Sequence, residues 1–230
     1  MIPFKDDNPH TSFPALTIGI IAANVIVFLF ELSLGQQQGQ MFVASFGMIP
    51  KLVSDPLLVE ELVNPLPVHP YATLLTSMFL HGGLLHLGGN MLYLWIFGDN
   101  IEHAMGRVKF IIFYLLTGII AGLTHFAFNT ESTIPTVGAS GAIAGVLGGY
   151  LNLYPHAKVY TLMIWGIMSR VVLLPAIAVL GFWFVFQLLN AGLTPKGMGG
   201  VAYGAHIGGF VSGYLLVRLF CRPAYRHFKR

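Results

Sequence analysis

"TVGASGAIAGVLGGYLNLY", residues 136–154, sets a single serine, Ser140, at the mouth of an apolar run in which Gly141, Gly145 and Gly149 recur every fourth residue. That spacing keeps the glycines on one face of a helix, and a face without side chains lets a second helix approach backbone to backbone. Ala205, Gly209 and Gly213 repeat the device near the end of the chain. The two stretches predict a pair of closely packed helices. Gly138, just ahead of the first, is counted with the small residues that pack beside Ser140.

The rest of the chain supplies the environment in which such packing makes sense. Of 230 residues, 55% are hydrophobic and only 9% charged, with a mean hydropathy of +0.73. An ordinary soluble domain is about 25% charged, which sets this chain apart as a membrane protein. A hydrocarbon core of about 30 Å needs roughly 20 helical residues to cross. Apolar runs near that length lie at 14–34, 83–104, 108–128, 138–154, 170–191 and 201–220. The expected fold is an all-α membrane protein, a bundle of six transmembrane helices forming one domain over residues 1–230. A long outer loop, 35–80, carries Pro50, Pro56, Pro65, Pro67 and Pro70 among apolar pieces suited to the membrane interface. The first run does not read as a cleaved signal, because Asp6 and Asp7 occupy the would-be basic region and the apolar part is too long. Cys221 is the sole cysteine, so no intrachain disulfide is expected.

Six spans starting from an inside N-terminus put Lys5, Arg107, Lys109, Lys158, Arg170, Arg218, Arg222, Arg226, Lys229 and Arg230 inside, and leave Lys51 and Lys196 outside. This is the positive-inside bias, and it predicts two cytoplasmic termini. It also accounts for the pI near 9 without nucleic acid; the basic tail is expected to meet anionic headgroups.

Polar side chains inside a span are costly, so each is a functional candidate. In the six-span topology the even spans start near the outer face. His86 and Asn90 lie early in the second span, Ser140 opens the fourth, and His206 comes about five residues into the sixth. All four therefore share one layer below the outer surface, and the small-residue faces bring Ser140 and His206 within hydrogen-bond reach. A serine hydroxyl is a weak nucleophile until a neighbouring base takes its proton, which histidine does well near neutral pH. Free N–H groups at the helix start and the His86–Asn90 pair, four apart on one face, supply donors for an oxyanion.

"HGGLLHLGGN" at 81–90, "GASG" at 138–141 and "AHIGGFVSG" at 205–213, in this order, resemble the rhomboid family of intramembrane serine proteases over nearly the whole chain. The resemblance implies Ser140 as nucleophile, His206 as general base, and Ser140 N–H, His86 and Asn90 as oxyanion donors. It implies no cofactor and no metal, and cleavage of transmembrane segments of single-span or multi-span membrane proteins within the bilayer; the expected location is the plasma membrane of a prokaryote. The best-known bacterial members carry an aromatic one turn after the nucleophile, stacked beneath the histidine. Here that position is Ala144, and "FWFVFQ" of the fifth span is the candidate source of a substitute ring.

The remaining polar residues read as structural. Glu31 is expected to snorkel to water, Asp99 and Glu102 to face the cytoplasmic surface near Arg107, and Gln187 to tie two helices. His125 is assigned to structure as well. A transporter using His81, His86 and His206 as ligands or relays would more often show paired carboxylates and repeat symmetry, and a client-binding relative without activity should have lost Ser140 or His206. No acid lies where it could reach His206: Asp99 and Glu102 are roughly 13 to 18 Å deeper than Asn90 along the same helix, and Asp55, Glu60, Glu61 and Glu131 fall in loops. A Ser–His pair without a carboxylate is therefore expected.

Overall fold

The helix opened by Ser140 is the one around which the others pack. The structure, a computed structural model, describes residues 1–8, 12–58, 67–166, 168–193 and 200–225. Its longer helices are α1 (Ala15–Ser33), α2 (Gly35–Phe46), α3 (Leu84–Met105), α4 (Arg107–Phe128), α5 (Ser140–Leu153), α6 (Ala176–Leu193) and α7 (Tyr203–Phe220). Among the described residues, α1, α4 and α6 are long and apolar enough to cross a membrane, with mean hydropathies of 2.3, 1.9 and 1.8. Lys196, Arg226, Lys229, Arg230, Glu60 and Glu61 lie outside the described residues.

Fourteen residues make α5 only about 21 Å long, and every residue from Gly141 to Tyr150 is buried. A helix that is apolar all round belongs in the interior. Glycine permits this by letting neighbours come close. A Cβ on Gly209 would collide with the Gly141 carbonyl oxygen, and one on Gly213 with that of Gly145, so α5 and α7 meet backbone to backbone. The Thr117 side chain of α4 fills the space over Gly145 on another side. Below this contact, Phe97, Ile101, Phe110, Phe113, Tyr114 and Tyr150 form a fully buried aromatic and aliphatic layer.

The expectation for Glu102 is corrected. It is 3% exposed and accepts hydrogen bonds from the backbone N–H groups of Leu16 (3.1 Å) and Thr17 (2.8 Å) and from the Thr17 hydroxyl (2.9 Å). It thus caps the first turn of α1 from α3, where free N–H groups and the positive end of the helix dipole favour a carboxylate.

The all-α expectation is corrected too. Strands β1 (Ile2–Asp6), β2 (Lys158–Trp165) and β3 (Met168–Pro175) form an antiparallel sheet in that order. β2 and β3 make a hairpin whose register runs from Lys158 opposite Pro175 to Trp165 opposite Met168. The fifth span, expected from residue 170, therefore begins as a helix only at Ala176. Pro175 sets that boundary, because proline disfavours helical geometry in the residue before it. β1 is tied to the bundle by Asp6, which accepts from Asn100 Nδ2 (3.0 Å) and from the Tyr150 hydroxyl.

Nor is 35–80 one long loop. It contains α2, a short helix over Pro50–Ser54 and a turn of helix at Thr73–Thr76. Met48 pairs with Thr136, Lys51 N–H donates to the Ser132 carbonyl (2.9 Å), and Lys51 forms an ion pair with Glu131. These contacts pin the segment against the strand-like approach to Ser140.

Candidate active site

Ser140 is the first residue of α5, directly after Ala139 at the N-cap. The N–H groups of a first turn have no carbonyl one turn earlier to bond, so donors gather around the Ser140 hydroxyl. His206 sits in the first turn of α7, and its ring reaches Ser140 because α5 and α7 are in backbone contact just beyond it. His206 Nε2 lies 2.8 Å from Ser140 Oγ. Both residues are half-buried and line a cavity of about 620 Å³.

The other ring nitrogen of His206, Nδ1, lies 2.8 Å from Gln187 Oε1 on α6. Gln187 is 5% exposed and also donates to the Trp183 carbonyl at 3.3 Å. The sequence assigned Gln187 to tying two helices; it ties α6 to α7 through the ring of His206. Trp183, from the "FWFVFQ" stretch, places its ring centroid 5.7 Å from that of His206 at an interplanar angle of 34°, and Tyr203 approaches edge-on at 6.4 Å. Trp183 thus lies against the ring that Ala144 cannot reach.

Gly138 does not pack between helices. It precedes α5 with φ +124, a conformation that favours glycine, and its N–H donates to the Ser77 carbonyl (2.9 Å). A Cβ there would stand 2.8 Å from Cε1 and Nε2 of His86 and 3.6 Å from Ser140 Oγ. The missing side chain is thus the space in which the His86 ring edge and the Ser140 hydroxyl converge. His86 Nδ1 accepts from the Gly82 backbone N–H at 3.4 Å, which leaves the hydrogen of a neutral ring on Nε2, facing this space.

Asn90 lines the same cavity one helical turn along α3, and its Nδ2 lies 2.9 Å from Nε2 of His81, a fully buried residue. His81 therefore orients the amide, with its ring centroid 5.1 Å from that of His86. Glu31 departs from expectation: it is half-buried, and one of its carboxylate oxygens is shut off from water. His125 lines the far wall of the cavity. Leu85, Gly89 and Tyr93 of α3 and Trp183 of α6 also line the cavity, and Gly88 and Gly89 have open space beside them.

The model of the Rhomboid domain matches residues 69–223, a span that holds every one of these groups except Glu31. The chain belongs to the rhomboid family. It is similar to RHOMBOID-like protein 4 of Arabidopsis thaliana, 31% identical over 231 residues covering 93% of this chain and 54% of the relative. RHOMBOID-like protein 1 of the same plant is 28% identical over 236 residues, 95% of this chain and 56% of that protein. Rhomboid protease GluP of Bacillus subtilis is 31% identical over 203 residues, 87% of this chain and 34% of that protein. The chain thus spans about half or less of the length of these rhomboid relatives. Rhomboids are integral membrane proteins, and the apolar helices of this one fit that setting.

Proposed function

We propose that this chain is an intramembrane serine endopeptidase that cuts transmembrane segments of other membrane proteins. The observation that carries the reading is the 2.8 Å contact between His206 Nε2 and Ser140 Oγ at the start of a buried helix and the wall of a cavity. In the first step the Ser140 oxygen bonds the scissile carbonyl carbon while its proton passes to His206 Nε2. The carbonyl oxygen becomes an oxyanion, held by Ser140 N–H, the Nε2–H of His86 and the amide of Asn90. His206 then protonates the departing amine, and a water attacks the acyl-serine by the same route. A positioned general base contributes about 10²–10⁴-fold and one oxyanion donor about 10²–10³-fold.

In this reading α1, α3, α4, α5, α6 and α7 are six membrane spans with both termini on the cytoplasmic side. The distribution of basic residues supports that orientation. At 14 residues α5 is shorter than the roughly 20 that a full crossing takes. Clients approach sideways between α3 and α6, which contribute Leu85, Gly89 and Trp183 to the cavity lining. Their helices must unwind before a backbone carbonyl reaches Ser140, which favours clients with Gly or Pro near the cut. A transporter using His206 as a ligand fits poorly, because both of its ring nitrogens are engaged, by Ser140 and Gln187.

The test is cleavage of a panel of single-span proteins in liposomes. The wild type is expected to cut at least one within its membrane segment, and Ser140→Ala to cut none. Equal cleavage by both would end the proposal; binding of clients without cleavage by the wild type would favour a client-holding role.

A further inference from the structure

The hydrogen bonds around His206 admit one arrangement of protons, and a residue outside the serine–histidine pair sets it. Gln187 stands on α6, whereas Ser140 and His206 stand on α5 and α7. The two ends of its amide face different partners. One meets the backbone carbonyl of Trp183 at 3.3 Å, an oxygen that can only accept, so the amide nitrogen must be the end turned to it. Reversing the amide would set two oxygens against each other. The amide oxygen is thereby turned to His206 Nδ1 at 2.8 Å. This oxygen carries no hydrogen, so Nδ1 must supply one. A neutral imidazole has a single N–H, which leaves Nε2 with its lone pair toward Ser140 Oγ at 2.8 Å. The chain of acceptors runs from a backbone carbonyl through Gln187 to the nitrogen that would take the serine proton.

We propose that Gln187 is a positioning residue of this site, holding His206 in the tautomer and ring orientation in which Nε2 can take the Ser140 proton. The inference rests on the proteolytic reading. The side chain is 5% exposed, so water does not compete for Nδ1–H, and the Trp183 ring on the same helix lies against the imidazole. When Nε2 gains the proton, Nδ1–H keeps its acceptor, and the imidazolium is stabilised by the amide dipole. The role resembles that of a buried carboxylate in a triad without its charge, so the expected loss on removal is smaller than the roughly 10⁴-fold seen when a triad loses the correct tautomer. A neutral hydrogen bond corresponds to about a tenfold change in rate.

The experiment combines nitrogen NMR of the ¹⁵N-histidine-labelled chain at a pH where the ring is neutral, assigned with His206→Ala, and client cleavage in liposomes. The wild type is expected to show His206 protonated at Nδ1 and bare at Nε2. Gln187→Leu should lose that preference and drop kcat about tenfold with KM within about twofold, its fold checked by melting temperature. Gln187→Glu, whose protonated carboxyl keeps an acceptor oxygen for Nδ1–H and a hydrogen for the Trp183 carbonyl, should restore the Nδ1–H form and most of the lost kcat. Should Gln187→Leu fail to fold, Gln187→Met replaces it, and the wild-type spectrum by itself still decides the tautomer. A wild-type ring protonated at Nε2, or a folded Gln187→Leu with unchanged tautomer and kcat, overturns the proposal. A wild type with the expected tautomer that cleaves no client overturns the positioning role through the failure of the proteolytic reading, and the spectrum tells that failure apart from one at Gln187.

Discussion

Replacing Gly138 with alanine adds one methyl group at the point where the His86 ring and the Ser140 hydroxyl converge, and should cost far more turnover than stability. The new Cβ would stand 2.8 Å from Cε1 and Nε2 of His86. Ordinary carbon contacts are about 3.5 Å or longer, so the ring has to retreat by roughly 0.7 Å. A donor works at about 2.7–3.1 Å from the oxyanion, and that retreat takes His86 out of range, for a loss of about 10²–10³ in kcat. Independently, φ +124 is strained for any residue with a side chain, at about 1–3 kcal/mol of stability. Steady-state cleavage of one defined client, with melting temperatures measured in the same detergent, separates the two effects. The sharper measurement is a double-mutant cycle. On a His86→Ala background the ring is gone, so Gly138→Ala should cost little further turnover while still lowering stability. If the two losses multiply, or if Gly138→Ala alone keeps its rate, the reasoning about this space is wrong.

Other perturbations read other parts of the account. Asn90→Ala and His86→Ala should each slow cleavage about 10²–10³-fold while Ser140 remains labelled by slow phosphonates; full rates in both variants would remove them from the oxyanion site. Glu102→Ala leaves the N–H groups of Leu16 and Thr17 without their acceptor, so unfolding stability should fall by about 1–3 kcal/mol or more with little change in kcat, as read by chemical denaturation in detergent. Burial pushes the Asp6 carboxyl up to about 7, aided by nearby Asp99 and Asp7 and opposed by the Tyr150 hydrogen bond. A raised carboxyl favours the folded state in its protonated form, so the stability it contributes is full below about pH 4 and is lost as pH rises toward and through 7. Asp6→Asn should flatten that dependence, followed by the thermal midpoint across pH 5–8, and an unchanged slope would contradict it.

Much of this arrangement was legible because it rests on spacing. Glycines four residues apart on two segments predicted the approach of α5 and α7, and shared depth predicted that Ser140 and His206 meet. The sheet was hidden for the opposite reason. Residues 170–191 form one continuous apolar run, and hydropathy alone does not separate a strand from the helix that follows it; only Pro175 marked the boundary. Gln187 is one amide in an apolar helix, with no motif to distinguish a helix tie from a partner for a catalytic ring. Its position one turn after Trp183 in "FWFVFQ" was the available signal, since both side chains fall on one helix face. Glu102 was misjudged because a carboxylate near a helix end resembles a solvated one until the neighbouring helix start is known.

The central claim is that Ser140 is a nucleophile activated by His206. Its most direct measurement is intact and peptide-level mass spectrometry of the purified chain after treatment with a serine-directed fluorophosphonate. One adduct is expected, on Ser140, absent from Ser140→Ala and strongly slowed in His206→Ala variants that keep the wild-type melting temperature. An unmodified Ser140 in folded wild-type protein, or labelling as fast without His206 as with it, would contradict the account.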